Sequence, residues 1–255
     1  MKKLSIVILS CIVLAIGCKK DAEVKQLTPA EPTGFMKLEF NNMFDTLELA
    51  LDTVNYVLDN GDKLTFTKFK YYISNIKLTA TDGSVYSEQE SYYLVDEAKP
   101  ESWLLTIKKV PFKEYTSISF VIGVDSARNV SGSQTGALSE NNDMFWTWST
   151  GYIMTKLEGT SMQSNSIGGL FGFHIGGFSG ANSGLRTVHL PLNGNTALVK
   201  DGKIPSVHIK CNVKEWFVTP VELDLSSIST VTTVNATSKM IADNYKDMFS
   251  VTDVH

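Results

Sequence analysis

From Phe35 onward, apolar and polar residues trade places at nearly every step. Phe35, Lys37 and Glu39 alternate with Met36, Leu38 and Phe40; Leu47, Leu49 and Leu51 alternate with Glu48, Ala50 and Asp52. A period of two gives a half-buried strand one apolar face. Lys63–Ala80 is a longer run of the same kind, rich in Leu64, Phe66, Phe69, Tyr71, Tyr72, Ile73, Ile76 and Leu78. Asp82-Gly83 predicts the hairpin turn that closes it. Further strands are predicted over 92–95, 103–110, 115–124, 185–192 and 204–213, with Pro111 and Asp201-Gly202 as breaks. Helical spacing enters only near the end, where Met240, Ile241, Tyr245, Met248 and Phe249 share a face. That predicts a helix over 235–249 capped by Asn235 or Thr237. Many strands, short turns and one late helix predict an all-β fold, an antiparallel β-sandwich with one short C-terminal helix. No linker or repeat breaks the pattern, so 35–255 reads as one domain.

The first residues follow another rule. Met1-Lys2-Lys3 is a basic head, and the apolar run 4–14 is too short to span a bilayer but suits a secretory signal. Ala15-Ile16-Gly17-Cys18 resembles a bacterial lipobox. The expectation is a lipoprotein signal peptide over 1–17, a lipid anchor on Cys18 and a flexible tether over 18–34 that carries Pro29 and Pro32. An ordinary cleaved signal with incidental cysteines is the alternative. The anchored chain would lie in the cell envelope at the outer membrane, on its periplasmic or surface face. Cys211 would then be the domain's thiol, without an internal disulfide. Removing 1–17 takes away two lysines and no acid, which moves the formal charge from −4 to −6. An acidic domain argues against nucleic acid as a partner.

Enzyme templates are missing. The chain has no Gly-x-Ser-x-Gly, no phosphate-cradling loop, no His-Glu-x-x-His and no Cys-x-x-Cys, so the expectation is a binding protein rather than an enzyme. Candidate chemistry gathers between Gly123 and Phe178, with two of four tryptophans, one of four histidines and many glycines. Alternation puts Met144, Trp146 and Trp148 on one face of a strand. It also puts Gly172, His174 and Gly176 opposite Phe171, Phe173 and Ile175. Glycines on either side of His174 leave room beside the imidazole, either for a ligand or for a neighbouring ring. The loop 125–143 holds Asp125, Ser126, Asn129, Glu140, Asn141, Asn142 and Asp143. Such oxygens can bind calcium, or can serve turns and caps. Trp103 and Trp216, if exposed at a sandwich edge, point instead to a metal-free surface interaction or carbohydrate-binding lipoprotein.

Several of these residues form an ordered set. Asp125, Asn129, Gly132, Gly136-Ala137-Leu138, Met144-x-Trp146-x-Trp148, Gly151-Tyr152, Lys156-x-Glu158-Gly159 and Phe173-His174-x-Gly176-Gly177 resemble the MbnP family. The late Ala242-Asp243-Asn244-Tyr245 and Met248-Phe249 are similar to its C-terminal region. These are secreted, copper-associated proteins of Gram-negative bacteria. The resemblance implies a β-sandwich, copper as the metal, and metal positions at Trp146 and His174. It places Trp148 where copper-binding members with a Trp-x-His pair carry histidine. It also implies a di-haem cytochrome c peroxidase-like partner that converts the tryptophan to kynurenine. Indole nitrogen only donates, whereas the opened ring offers an amine and a ketone that can approach a metal beside imidazole. With His174 as one imidazole, further donors would come from Met144 or His255, or from Met154, His189 or His208. His189 and His208 read as ordinary strand residues; His255 reads as a frayed end unless 253–255 folds back.

Overall fold

The computed structural model describes residues 32–146 and 151–255. The predicted signal peptide, Cys18 and Trp148 lie outside the described residues. The first strands are β1 (Thr33–Phe44), β2 (Leu47–Glu48), β3 (Tyr56–Val57), β4 (Lys63–Ala80), β5 (Val85–Ser87) and β6 (Tyr92–Asp96). Then come β7 (Leu104–Pro111), β8 (Glu114–Ile122), the short helix α1 (Ser126–Asn129), β9 (Phe145–Trp146), β10 (Gly151–Ser161) and β11 (Leu170–Gly176). The chain continues through β12 (Arg186–Pro191), β13 (Ala197–Leu198), β14 (Ser206–Asn212) and α2 (Glu215–Val218). It ends with β15 (Thr230–Val231), α3 (Ala236–Tyr245) and β16 (Phe249–Val254).

Two sheets face each other. The smaller runs β16-β14-β1-β2, with β7 also along β1; the larger runs β12-β8-β4-β10-β11-β15, with shorter strands beside it. Most pairings are antiparallel, while β1–β14 and β11–β15 are parallel. The predicted alternation is visible in β1, where Met36, Leu38 and Phe40 are buried in the core. Phe40 bridges the layers, with its ring 6.2 Å from Tyr71, 5.9 Å from Phe120 and 5.9 Å from Phe249, each edge-on. Burying one such ring contributes roughly 1.5–3 kcal/mol.

The spine of the larger sheet is β4. Its adjacent residues Tyr71 and Tyr72 are both buried, but in different clusters. Tyr71 joins the inter-sheet core. Tyr72 points to the outer face and joins Val124, Leu138, Met144, Trp146, Tyr152, Ile153 and Met154. The larger sheet is therefore covered on both sides here, because the chain from Gly123 to Trp146 folds over its outer face. That cover creates the candidate site.

Four expectations change. The helix starts as predicted, with Asn235 as cap: its side chain accepts the Ser238 N–H (2.8 Å), and the Ser238 hydroxyl accepts the Asn235 N–H (2.8 Å). It stops at Tyr245, however, and Phe249 opens a strand, because β14 offers that segment a free edge. The alternating run 47–52 yields only the short β2, since the chain turns at Asp52 with a left-handed φ of 65°. Trp216 is not an edge aromatic. It is fully buried in α2, with its ring against Tyr245 and its N–H toward Met248 Sδ at 3.4 Å. Strand β1 also begins at Thr33, two residues inside the expected tether. Among the described residues, no helix is long and apolar enough to cross a membrane.

Candidate functional site

The outer face of the larger sheet carries a charged row. Register pairs Lys68 on β4 with Glu158 on β10, Lys70 with Lys156, and Lys156 with His174 on β11. Period two therefore brings these side chains to one face, above which the loop segment 140–143 lies. Asp143 is the clamp. It accepts from Lys68 at 2.8 Å and lies 3.0 Å from the ammonium of Lys156, which also donates to the Asp143 main-chain oxygen. Lys70 reaches the Asn142 carbonyl at 3.2 Å and Asp96 at 3.1 Å.

Charge states follow from this packing. Burial alone would raise Asp143, but the hydrogen bonds from Lys68 and Lys156 outweigh it and hold the carboxyl at about 2. Lys156, with a side chain only 3% exposed, is pushed down by burial, and Asp143 opposes that. Glu158 is held below the ordinary carboxylate range, first by its hydrogen bond with His174 and then, against burial, by Lys68. His174 Nε2 lies 2.7 Å from Glu158 Oε1. An ionised carboxylate only accepts, so Nε2–H donates to it and Nδ1 is the nitrogen that Glu158 does not engage. A carboxylate holding one ring nitrogen is the usual way a protein orients a metal-binding imidazole.

Trp146 reaches the same face. It pairs with Gly151 through β9 and β10 and is 5% exposed. Its ring occupies the space over Gly176: a Cβ at that glycine would stand 2.5 Å from Cη2 and closer still to Cζ3. Gly176 and His174 are two residues apart on one strand, so indole and imidazole lie on the same side of β11, about 7 Å along it. On the other side of His174, Gly172 has nothing within 4 Å of a Cβ. One of the glycine gaps beside the imidazole is thus filled by a ring, and the other is open.

The other candidates divide. Met144 is fully buried in the cluster that holds Trp146. Met154 sits beside them, but its sulfur accepts the Val124 N–H at 3.1 Å. His189 is exposed on β12, separated from β11 by β8, β4 and β10. His208 and His255 lie on the outer face of the smaller sheet, across the core, so His255 does not join His174. The loop's oxygens serve its own fold. Asp125 Oδ1 caps α1 by accepting the Ala127 and Arg128 N–H groups (3.0 and 3.3 Å), and Oδ2 accepts from Asn75 (2.6 Å) and Tyr92 (3.0 Å). Asn129 Oδ1 accepts the Tyr152 N–H at 3.0 Å, and Asn142 donates to the Gly136 and Ala137 carbonyls. Tyr72 and Tyr152 hydroxyls donate to the Ala137 and Leu138 carbonyls at 3.0 and 2.7 Å. Lys68 and the pairing roles of Asp143 and Glu158 are not singled out by the sequence, which offers Asp143 only as one of the loop's oxygens. The alternation of charges in β4 and β10 was the available signal.

Comparisons bear on this geometry. A family model described as MbnP matches residues 33–240. No curated protein matches the chain in sequence. Among solved structures, the fold is similar to that of MbnP from Methylosinus trichosporium, with a TM-score of 0.54 and 11% identity. That match covers 80% of this chain and 83% of the other, and at such identity it speaks for the fold alone.

Proposed function

The chain belongs to the MbnP family, and from that premise we propose that it is a copper-associated binding protein, anchored in the cell envelope through Cys18. It holds or delivers copper and does not turn over a substrate. One observation supports this above the others: Trp146 and His174 share the outer face of β11, and Glu158 engages Nε2 of His174 rather than Nδ1. His174 would supply the imidazole, oriented by Glu158, and Met144 is a thioether in the same cluster as Trp146. Imidazole with thioether suits reduced copper, and imidazole with carboxylate suits the oxidised ion. Trp148 follows two residues after Trp146. In this reading Trp146 is also the target of a di-haem peroxidase-like partner, which would turn an indole that only donates into a group able to approach the metal. Peptide mass spectrometry after co-expression with such a peroxidase tests the modification at Trp146. Copper content after dialysis, compared between the parent and His174→Ala, tests the binding. An unmodified Trp146 together with no retained copper would remove the proposal.

A second reading rests on a different place. Trp103, half-buried, lines a cavity of about 390 Å³ with Asn41, Asn42, Glu48, Glu97 and Lys210. A ring beside amides and carboxylates is a chemistry that suits a sugar. Glycan-array binding that disappears in Trp103→Ala would favour it.

A further inference from the structure

Three metal-ligating side chains meet on the outer face of the smaller sheet, with the whole core between them and His174. One ligand atom each from His208, Asp253 and His255 lies within 4.8 Å of the others. His208 and Asp253 are register partners across β14 and β16. The imidazoles of His208 and His255 stack, with centroids 4.9 Å apart and planes 29° apart. Asp253 Oδ2 is 3.1 Å from His255 Nδ1, and Glu39 Oε2 on the neighbouring β1 is 3.4 Å from His208 Nδ1.

The backbone achieves this through an irregularity. Ile209 pairs with Val251 but His208 pairs with Asp253, so β16 carries one extra residue at Thr252. Phe249 and Val251 turn to the core before that point, and Val254 does so after it. Strict alternation would send Asp253 and His255 inward with Val251. The bulge reverses the phase and aims both beside His208. Reciprocal main-chain bonds then pin His255: Ser206 N–H to His255 O at 2.7 Å, and His255 N–H to Ser206 O at 3.0 Å. The residue expected to fray is the continuation of a strand.

We propose that His208, Asp253 and His255 form a surface site for a divalent transition-metal ion of the zinc(II) or copper(II) class, distinct from the His174 site. Two imidazoles and a carboxylate are the donor set such ions take, with water completing the shell. Ligands about 2.1 Å from a tetrahedral ion stand roughly 3.4 Å apart. The 4.8 Å spread therefore closes by small rotations, chiefly of the mostly exposed Asp253 and His255 side chains, while the main chain stays paired. Glu39 stands 3.4 Å from Nδ1 of His208, on one side of the ring, and Nε2 lies away from it.

The test is a calorimetric titration of the chelator-treated full chain, without a polyhistidine tag, with zinc(II), repeated with cobalt(II) to read the coordination number from its absorption. The expected result is a binding event weakened at least tenfold by His208→Ala and by His255→Ala, and unchanged by His174→Ala. His208→Gln guards against a folding defect, and circular dichroism of each variant checks it. No zinc binding by the parent, equal binding by the His208 and His255 variants, or loss confined to His174→Ala would each overturn the proposal.

Discussion

Gly176 is the seat of Trp146. The indole stands where the glycine's missing side chain would be, within 2.5 Å of the ideal Cβ position. Gly176→Ala must therefore displace the ring or the strand, and we expect a loss of about 1–3 kcal/mol from overpacking. Gly172→Ala, with nothing within 4 Å, serves as the matched control and should leave stability nearly unchanged. Chemical denaturation followed by tryptophan fluorescence measures both. Equal stability of the two variants would contradict the packing described.

Lys156 is a cation almost out of water, and Asp143 is its counter-charge. Asp143→Ala should cost about 1–2 kcal/mol at neutral pH: it strands the buried Lys156 charge, but its own carboxylate is 59% exposed and screened by water. Replacing both, as Lys156→Met with Asp143→Ala, should recover most of that loss. In the parent, the contribution of Asp143 is present above the unfolded carboxylate value near 3.8 and fades as pH falls toward about 2. Urea midpoints of the parent and the two variants at pH 7 and pH 2.5 decide it. A double variant no more stable than the single one would count against the pairing.

Glu97 works in the opposite direction. Burial first, and then the nearby Asp96 charge, raise its carboxyl to about 7, although Asn42 donates to it at 2.7 Å. The folded state holds this proton more tightly than the unfolded state, whose value is near 4.5. The benefit is complete below pH 4.5 and is lost as pH rises through 7. Glu97→Gln, which keeps an acceptor for Asn42, should stabilise the protein at pH 8 by about 1–2 kcal/mol, after allowing for water that reaches the cavity. At pH 4 it should change little. Melting temperatures at the two pH values give the answer, and a gain of the same size at both would rule the mechanism out.

If copper binds beside His174, Glu158 sets the ring's orientation. Glu158→Gln should then weaken copper about tenfold or more while leaving the fold intact. Competition with a chromophoric copper chelator reads this directly. An affinity indifferent to Glu158 would mean that the carboxylate pairs with His174 for structural reasons only.

The strands were the legible part, because burial on one face writes itself into the sequence every second residue. The limits of β4 at Lys63 and Ala80 match the predicted run, and of the two predicted caps, Asn235 and Thr237, the helix uses Asn235. What alternation could not reveal was any break in its own rhythm. Nothing in Val251-Thr252-Asp253 announces a bulge, yet that bulge decides whether Asp253 and His255 face the core or solvent. The tryptophans show the same limit. Trp216 and Trp103 look alike on paper, but one is enclosed by Tyr245 and Met248 and the other lines a cavity. At the candidate site, the face shared by Trp146 and His174 depends on how β9 and β11 both lie against β10, a relationship between distant segments.

The phenols of Tyr72 and Tyr152 grip the covering loop by its carbonyls and not by its side chains. Such a fastening is indifferent to the side chain at 137, while Leu138 is held as well by its burial in the cluster beneath. Descendants of this protein can rewrite position 137, and with it the outer skin of the loop, while the latch stays shut.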